Sequence, residues 1–262
     1  MKHVSIEVRD SVGILSLNRP DRRNGIGFEL AAELRRAAET LADDPSARAV
    51  LLRGEGETFC VGGDIREMDV SDHDGLPVHE RIALLRDVTR VCETLHTMRK
   101  PTVCAMHGAA AGGGLSLALA CDLRVAAQST KITTAFARIG LSGDFGGTWF
   151  LTRLLGAAKA RELFLLSPVL SAPEALQLGL VNRVVAEDAI QAAAWDLAHG
   201  LASGPSAVLA MMKQNLNRAM TDDLGTLLDV EAKHQTLSML TEDHREAARA
   251  FLAKRAPVFT GR

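Results

Sequence analysis

Three glycine-rich segments hold the residues of this chain best suited to chemistry: 59–65 (FCVGGDI), 107–114 (HGAAAGGG) and 140–147 (GLSGDFGG). In the first, Gly62 and Gly63 follow an extended stretch. Paired glycines let backbone N–H groups approach an anion or oxyanion with no Cβ in the way, although the same pair also suits a simple turn. In the second, Gly112, Gly113 and Gly114 stand between a strand and a helix. Free N–H donors and the positive end of the helix dipole stabilise developing negative charge there. The spacing is neither that of a GxxxxGK[ST] phosphate loop nor that of a GxGxxG dinucleotide fingerprint. In the third, Asp144 is the only carboxylate between Asp122 and Glu162, flanked by glycines and apolar residues. Desolvation would raise its pKa toward the range of a general acid or base; the competing reading is a turn or N-cap residue before a helix starting near Gly146.

Other groups offer less. Residues 114–118 (GLSLA) approximate a nucleophile elbow around Ser116. An elbow needs its serine on a sharp turn directly after a strand, whereas Ser116 falls inside a helix start, which favours a small packing residue. The eight histidines are isolated, with no HxH or HExxH spacing, so no metal site is expected. His107, beside the glycine run, reads as a hydrogen-bonded structural residue. Cys60, Cys92, Cys104 and Cys121 form no CxxC pair and read as reduced, buried thiols of a cytoplasmic protein.

These segments need a scaffold. Val4, Ile6 and Val8 alternate with polar residues, Gly13 punctuates a turn and residues 14–17 resume an extended pattern, giving a β-hairpin that ends at Asn18-Arg19-Pro20. Leu30, Leu34, Ala37, Ala38 and Leu41 recur at helical spacing, and residues 49–52 form a buried strand feeding the 54–64 loop. Residues 78–98 keep one long amphipathic rhythm that Pro101 terminates. Strands over 102–106 and 123–127 enclose a helix over 115–120, so the class is α/β. Helices follow over 149–155 and 158–166, then one with the capping-box pair Ser171 and Glu174 that stops at Gly179, then a short strand over 181–185. Beyond Gly204-Pro205 three helical stretches, 206–220, 224–240 and 242–254, have faces to bury on another subunit. The division expected is a core over 1–203 and a helical oligomerisation region over 204–262.

Composition sets outer limits. A chain of 262 residues suits one large domain or a domain with an appendage. With 30 Lys+Arg against 32 Asp+Glu, the net charge of −2 gives no reason to expect nucleic acid or an anionic membrane as partner. Residues 101–121 contain no Asp, Glu, Lys or Arg, but their glycines and alanines make a poor membrane span and read as buried core. The N-terminus enters the first strand pattern directly, so no leader is expected.

Taken together and in this order, the three glycine-rich segments, the Asn18-Arg19-Pro20 turn and the closing FLAKR (251–255) resemble the crotonase superfamily, also called the enoyl-CoA hydratase/isomerase family. That resemblance implies a spiral of ββα turns with a helical C-terminal region that builds trimers or dimers of trimers. It implies an acyl-CoA thioester substrate, coenzyme A as part of that substrate and no other cofactor. By position in the motifs, the oxyanion hole would be the N–H groups of Gly63 and Gly113. Val61, Gly63, Asp64 and Ile65 would lie along the CoA, with Arg23 and either Lys254 or Arg255 meeting its phosphates, the last two from a neighbouring subunit. The two glutamates that hold water in hydratases of the family fall here on Ser116 and Phe136. The 140–147 segment is similar to the GLxPDxG motif of acyl-CoA double-bond isomerases, with Gly143 in place of proline and Asp144 retained as proton shuttle. The resemblance therefore implies an enoyl-CoA isomerase with Asp144, Gly63 and Gly113 as its catalytic set. The alternatives are a hydratase with atypical acid/base residues, a thioesterase using Ser116 and a non-catalytic acyl-CoA binder. The naphthoate synthase branch ranks lower, since it needs polar groups that this chain does not match. The acyl pocket would be shaped by residues of the 70–84 segment and the C-terminal helices.

Overall fold

Every residue of the VGILSL strand is buried, because successive side chains point to opposite faces and both faces are covered. Leu15 and Leu17 belong to one core and Val12 and Ile14 to another. The computed structural model describes residues 1–69 and 75–262; residues 70–74 of the segment expected to shape the acyl pocket lie outside the described residues. The main sheet runs β1 (Val4–Arg9), β2 (Val12–Leu17), β3 (Ala49–Gly54), β4 (Thr102–Met106), β6 (Leu123–Ala127), β9 (Arg183–Val185). β1 pairs antiparallel with β2, Val4 opposite Leu17, and every later neighbour is parallel. The hairpin turns at Asp10 and Ser11, both at positive φ, and not at Gly13. Gly13 sits inside β2 because a Cβ there would stand 2.9 Å from Leu41 Cδ2.

A second, small sheet, β5 (Ala109–Ala111), β7 (Lys131–Thr133) and β8 (Leu170–Ser171), was not expected from the sequence; strands of two or three residues carry no readable period. The first core lies between the sheet and α1 (Phe28–Asp43), α4 (Arg90–Thr97) and α5 (Gly113–Ala120), where Leu30, Leu34, Leu95 and Leu117 are fully buried. Each such leucine contributes about 1.5–3 kcal/mol. The opposite face is covered by α8 (Ile190–Ala202), which buries Ile190, Ala194, Ala198 and Ala202. That helix was missed, since an alanine stripe is a weak amphipathic signal.

The single helix expected over 78–98 is two, α3 (Val78–Val88) and α4, joined at Thr89. Between α1 and α3 lies the short α2 (Ile65–Asp69). α6 (Gly147–Leu166) is interrupted at Gly156, φ 77°, which matches the two helices read from the sequence. α7 (Ala172–Gln177) carries the expected capping box: the Glu174 N–H donates to Ser171 Oγ and the Ser171 N–H to Glu174 Oε2. α9 (Ser206–Arg218), α10 (Leu224–Met239) and α11 (Glu242–Leu252) complete the chain. α9 is fastened to the core by Lys213, 6% exposed, whose Nζ lies 2.8 Å from Asp122 Oδ2 and donates to the carbonyls of Leu95 and Lys100. No described helix is long and apolar enough to cross a membrane.

Candidate active site

The 59–64 loop is held by parallel β-bridges at both ends. The Cys60 N–H donates to Ala109 O and Cys60 O accepts from the Ala111 N–H, each at 3.0 Å. Two residues on, Gly62 O accepts from the Ile26 N–H at 2.7 Å, and the Asp64 N–H donates to Ile26 O at 3.0 Å. Neighbouring peptide groups of extended backbone face opposite ways, so the N–H of Gly63, between these two bonds, is turned away from Ile26. Among the described residues it has no hydrogen-bond partner.

Gly113 is the first residue of α5, where the helix leaves its N–H groups without internal acceptors. Its N–H likewise has no partner among the described residues. Glycine next to it is required by close approach, since a Cβ on Gly114 would stand 2.6 Å from Cys60 O. A Cβ on Gly62, at φ 90°, would meet Ala111 O at 2.7 Å and the Gly113 nitrogen at 3.3 Å. The two glycine segments are therefore in direct contact, each with an N–H that has no partner among the described residues.

Asp144 comes from the loop that enters α6. Gly143, Phe145 and Gly146 around it all have positive φ, unusual for the bulky Phe145. The N-cap of α6 is Gly146, and the Asp144 side chain makes no capping bond, so the N-cap reading fails. Its Oδ1 is buried and, among the described residues, without a hydrogen-bond partner. Burial with no compensating donor pushes the carboxyl up to about 6.

Gly63, Gly113 and Asp144 line one cavity of about 420 Å³, whose remaining wall is largely apolar: Ile26, Leu85, Val88, Leu141 and Phe145. A low-dielectric wall, two unused amides and one unpartnered carboxylate can hold an oxyanion and exchange a proton beside it. Ser116 does not join them. It is 1% exposed and its hydroxyl donates to Gly112 O within α5, so no nucleophile elbow is formed. Phe136 is buried and stacked on Phe164 at 6.0 Å. His107 Nε2 lies 2.9 Å from Gly56 O, a turn contact. No cluster of three or more potential metal ligands occurs among the described residues. All four cysteines are free and buried, and burial pushes the Cys60 thiol up to about 12.

Of the residues expected to hold CoA, Arg23 and Val61 are neighbours, the Val61 N–H donating to Arg23 O, and Arg23 is exposed. Ile65 is 58% exposed and is not among the residues lining the cavity. Asp64 lines the cavity, but its carboxylate is paired: Oδ2 lies 3.1 Å from Arg19 Nη1, an ion pair without a hydrogen bond, and Oδ1 accepts from the Arg66 N–H. Lys254 is exposed at the end of α11 and is not among the residues lining the cavity. Arg19, Phe145 and Leu85 were not singled out from sequence. Phe145 lay within a flagged segment, whereas the partners of Arg19 lie 45 and 48 positions along the chain, which no local pattern reveals.

Comparison with known proteins gives one consistent result. The family described as Enoyl-CoA hydratase/isomerase matches residues 7–262. The 1,2-epoxyphenylacetyl-CoA isomerase of Escherichia coli is 38% identical over the full length of both chains. The short-chain-enoyl-CoA hydratase of Clostridium acetobutylicum is 31% identical, covering 97% of this chain and 96% of its own. The crystal structure of an enoyl-CoA hydratase from Polaromonas sp. JS666 superposes with a TM-score of 0.92 at 32% identity, covering 98% of this chain and 99% of that one.

Proposed function

The chain belongs to the enoyl-CoA hydratase/isomerase family and is an enzyme of the crotonase type, and on that premise we propose that it moves a carbon–carbon double bond along an enoyl-CoA. The thioester carbonyl oxygen accepts from the Gly63 and Gly113 N–H groups. Asp144, ionised, removes a proton from the acyl α-carbon; the C–H electron pair passes into a dienolate whose charge rests on the thioester oxygen. The same proton returns to the γ-carbon, so the β,γ double bond becomes α,β and nothing is consumed. Losing one such oxyanion donor costs about 2.7–4 kcal/mol, so two supply a substantial part of the rate.

The observation that carries this reading is the partnerless, buried Oδ1 of Asp144 in the cavity shared with both amides. Hydration would need further groups to hold and deprotonate a water. The other two carboxylates lining the cavity, Asp64 and Glu67, are both paired with Arg19. The Escherichia coli relative is named for an isomerisation of an epoxyphenylacetyl-CoA, a reaction that adds no water, and the Clostridium acetobutylicum relative for a hydration. CoA, as part of the substrate, is met by Arg23, Val61 and Ile65 of this chain, with Lys254 contributed by a neighbouring copy. Exposed Leu216, Leu224, Leu240, Phe251 and Leu252 on α9–α11 support a trimer or dimer of trimers. The four buried free thiols support a cytoplasmic location.

The test is turnover of a 3-enoyl-CoA followed by the rise in absorbance of the conjugated 2-enoyl thioester. A steady rise is expected, and its absence at saturating substrate overturns the assignment.

A further inference from the structure

An oxyanion donor works only if it is fixed where charge will develop, and a donor in a loop needs both flanks held. Gly63 is flanked by its bridge partner segment, Gly25-Ile26, on one side and by Asp64 on the other. The Arg19 guanidinium spans the two. Its Nη1 lies 3.1 Å from Asp64 Oδ2 and 3.4 Å from Gly25 O, and its Nη2 lies 2.7 Å from Glu67 Oε1. The Arg19 and Asp64 side chains are only 13% and 8% exposed, so the pair is poorly screened.

The base of this clamp is rigid as well. The Arg19 N–H donates to Asn24 Oδ1 at 2.8 Å and Arg19 O accepts from the Asn24 N–H at 2.9 Å. Asn24, fully buried, donates from Nδ2 to Glu55 O and Thr58 O, tying the turn to the segment between β3 and the glycine loop. The Arg19 side chain donates a hydrogen bond to Gly25 O, and the Asp64 and Glu67 carboxylates are held as ion pairs, Asp64 Oδ2 accepting no hydrogen bond among the described residues; a broad planar guanidinium reaches all three from one stem, which an ammonium does less well.

We propose that Arg19 is a positioning residue for the Gly63 oxyanion donor, acting through its ion pair with Asp64 and its hold on Gly25. The inference rests on the assignment of Gly63 and Gly113 as the oxyanion hole. Asp64, expected from the sequence to bind CoA, then acts chiefly as the partner through which Arg19 reaches the loop.

The test uses 4-dimethylaminocinnamoyl-CoA, a push–pull thioester whose absorption band moves to the red when its carbonyl is polarised by hydrogen bonds. The wild-type protein should shift the band on binding. In Arg19→Ala and Asp64→Asn the shift should fall by about half or more while the probe still binds. The kcat for 3-enoyl-CoA should drop about ten- to a hundredfold with KM changed by less than about threefold, a partial loss against the 10²–10³ for a whole donor. Arg19→Lys, which keeps the charge but loses the fork, should recover part of both. The double variant should be no worse than the poorer single one, as expected of two residues acting as a unit. Should Arg19→Ala fail to fold, Asp64→Asn, which keeps side-chain shape, reads the same quantities. An unchanged red shift and kcat in folded variants would overturn the role of Arg19. A wild-type protein that binds the probe with no red shift would instead overturn the oxyanion assignment itself.

Discussion

Asp144 and Gly113 face each other across the cavity so closely that a Cβ on Gly113 would stand 3.5 Å from Asp144 Oδ1. The carboxylate that can move a proton and the amide that can hold an oxyanion thus belong to adjoining parts of the cavity wall. Phe145 and Ile26 close the sides, at 3.3 and 3.4 Å from the same point.

Asp144→Asn preserves shape and removes the base. Turnover of a 3-enoyl-CoA should fall by about 10²–10⁴, the usual contribution of general-base catalysis, with CoA affinity nearly unchanged. Steady-state kinetics beside calorimetric binding of CoA separates the two quantities; wild-type turnover in the variant would remove Asp144 from the mechanism.

The raised carboxyl of Asp144 sets two pH dependences. As a base it must be ionised in the free enzyme, so kcat/KM should rise with unit slope through pH about 6 and level above it. Stability runs the other way. The folded-state value lies above the ordinary 3.8, so the native protein binds the proton more tightly; this contribution is complete below about pH 3.8 and is lost as pH rises through about 6. Asp144→Asn should therefore raise the melting temperature above pH 6 and leave it unchanged below pH 4. Melting curves of the two proteins at pH 4 and pH 8 check the sign.

Gly113→Ala places a methyl group between Asp144 and Phe145 without an overlap under 3.3 Å, and alanine suits a helix start better than glycine does. The protein should fold with unchanged stability. Turnover should fall about 10²-fold, because a displacement of roughly an ångström between reacting groups costs that much. An activity loss accompanied by an equal loss of folded protein would point to packing instead.

The contact of the glycine segments and the burial of Asp144 were legible in the sequence because geometry constrains residue type: close backbone approach requires glycine, and a lone carboxylate in an apolar stretch finds few donors. The main sheet was legible wherever strands were long enough to show burial, as in Val12–Leu17. β5, β7 and β8 were not, at two or three residues each, and neither was α8, whose buried face is mostly alanine. The break at Thr89 left no mark, since the apolar rhythm of Val88, Val91, Cys92 and Leu95 continues across it. Arg19 shows the general limit. Its type is readable but its role lies in Asp64 and Glu67, which only the fold brings to it.

Lys213 tests the attachment of the C-terminal helices. Replacing it by alanine leaves Asp122 and the carbonyls of Leu95 and Lys100 without their cation. Breaking such a pair should cost about 2–4 kcal/mol, read as a lower urea midpoint, with the specific activity of the folded protein retained.

One carboxylate and two amides suffice to shift a double bond but not to add water. Proton NMR of the wild-type protein supplied in parallel with a 3-enoyl-CoA and a 2-enoyl-CoA of the same chain length measures it directly. The expected result is conversion of the 3-enoyl to the 2-enoyl thioester faster than any appearance of 3-hydroxyacyl-CoA. Formation of 3-hydroxyacyl-CoA from the 2-enoyl thioester at the greater rate would contradict it.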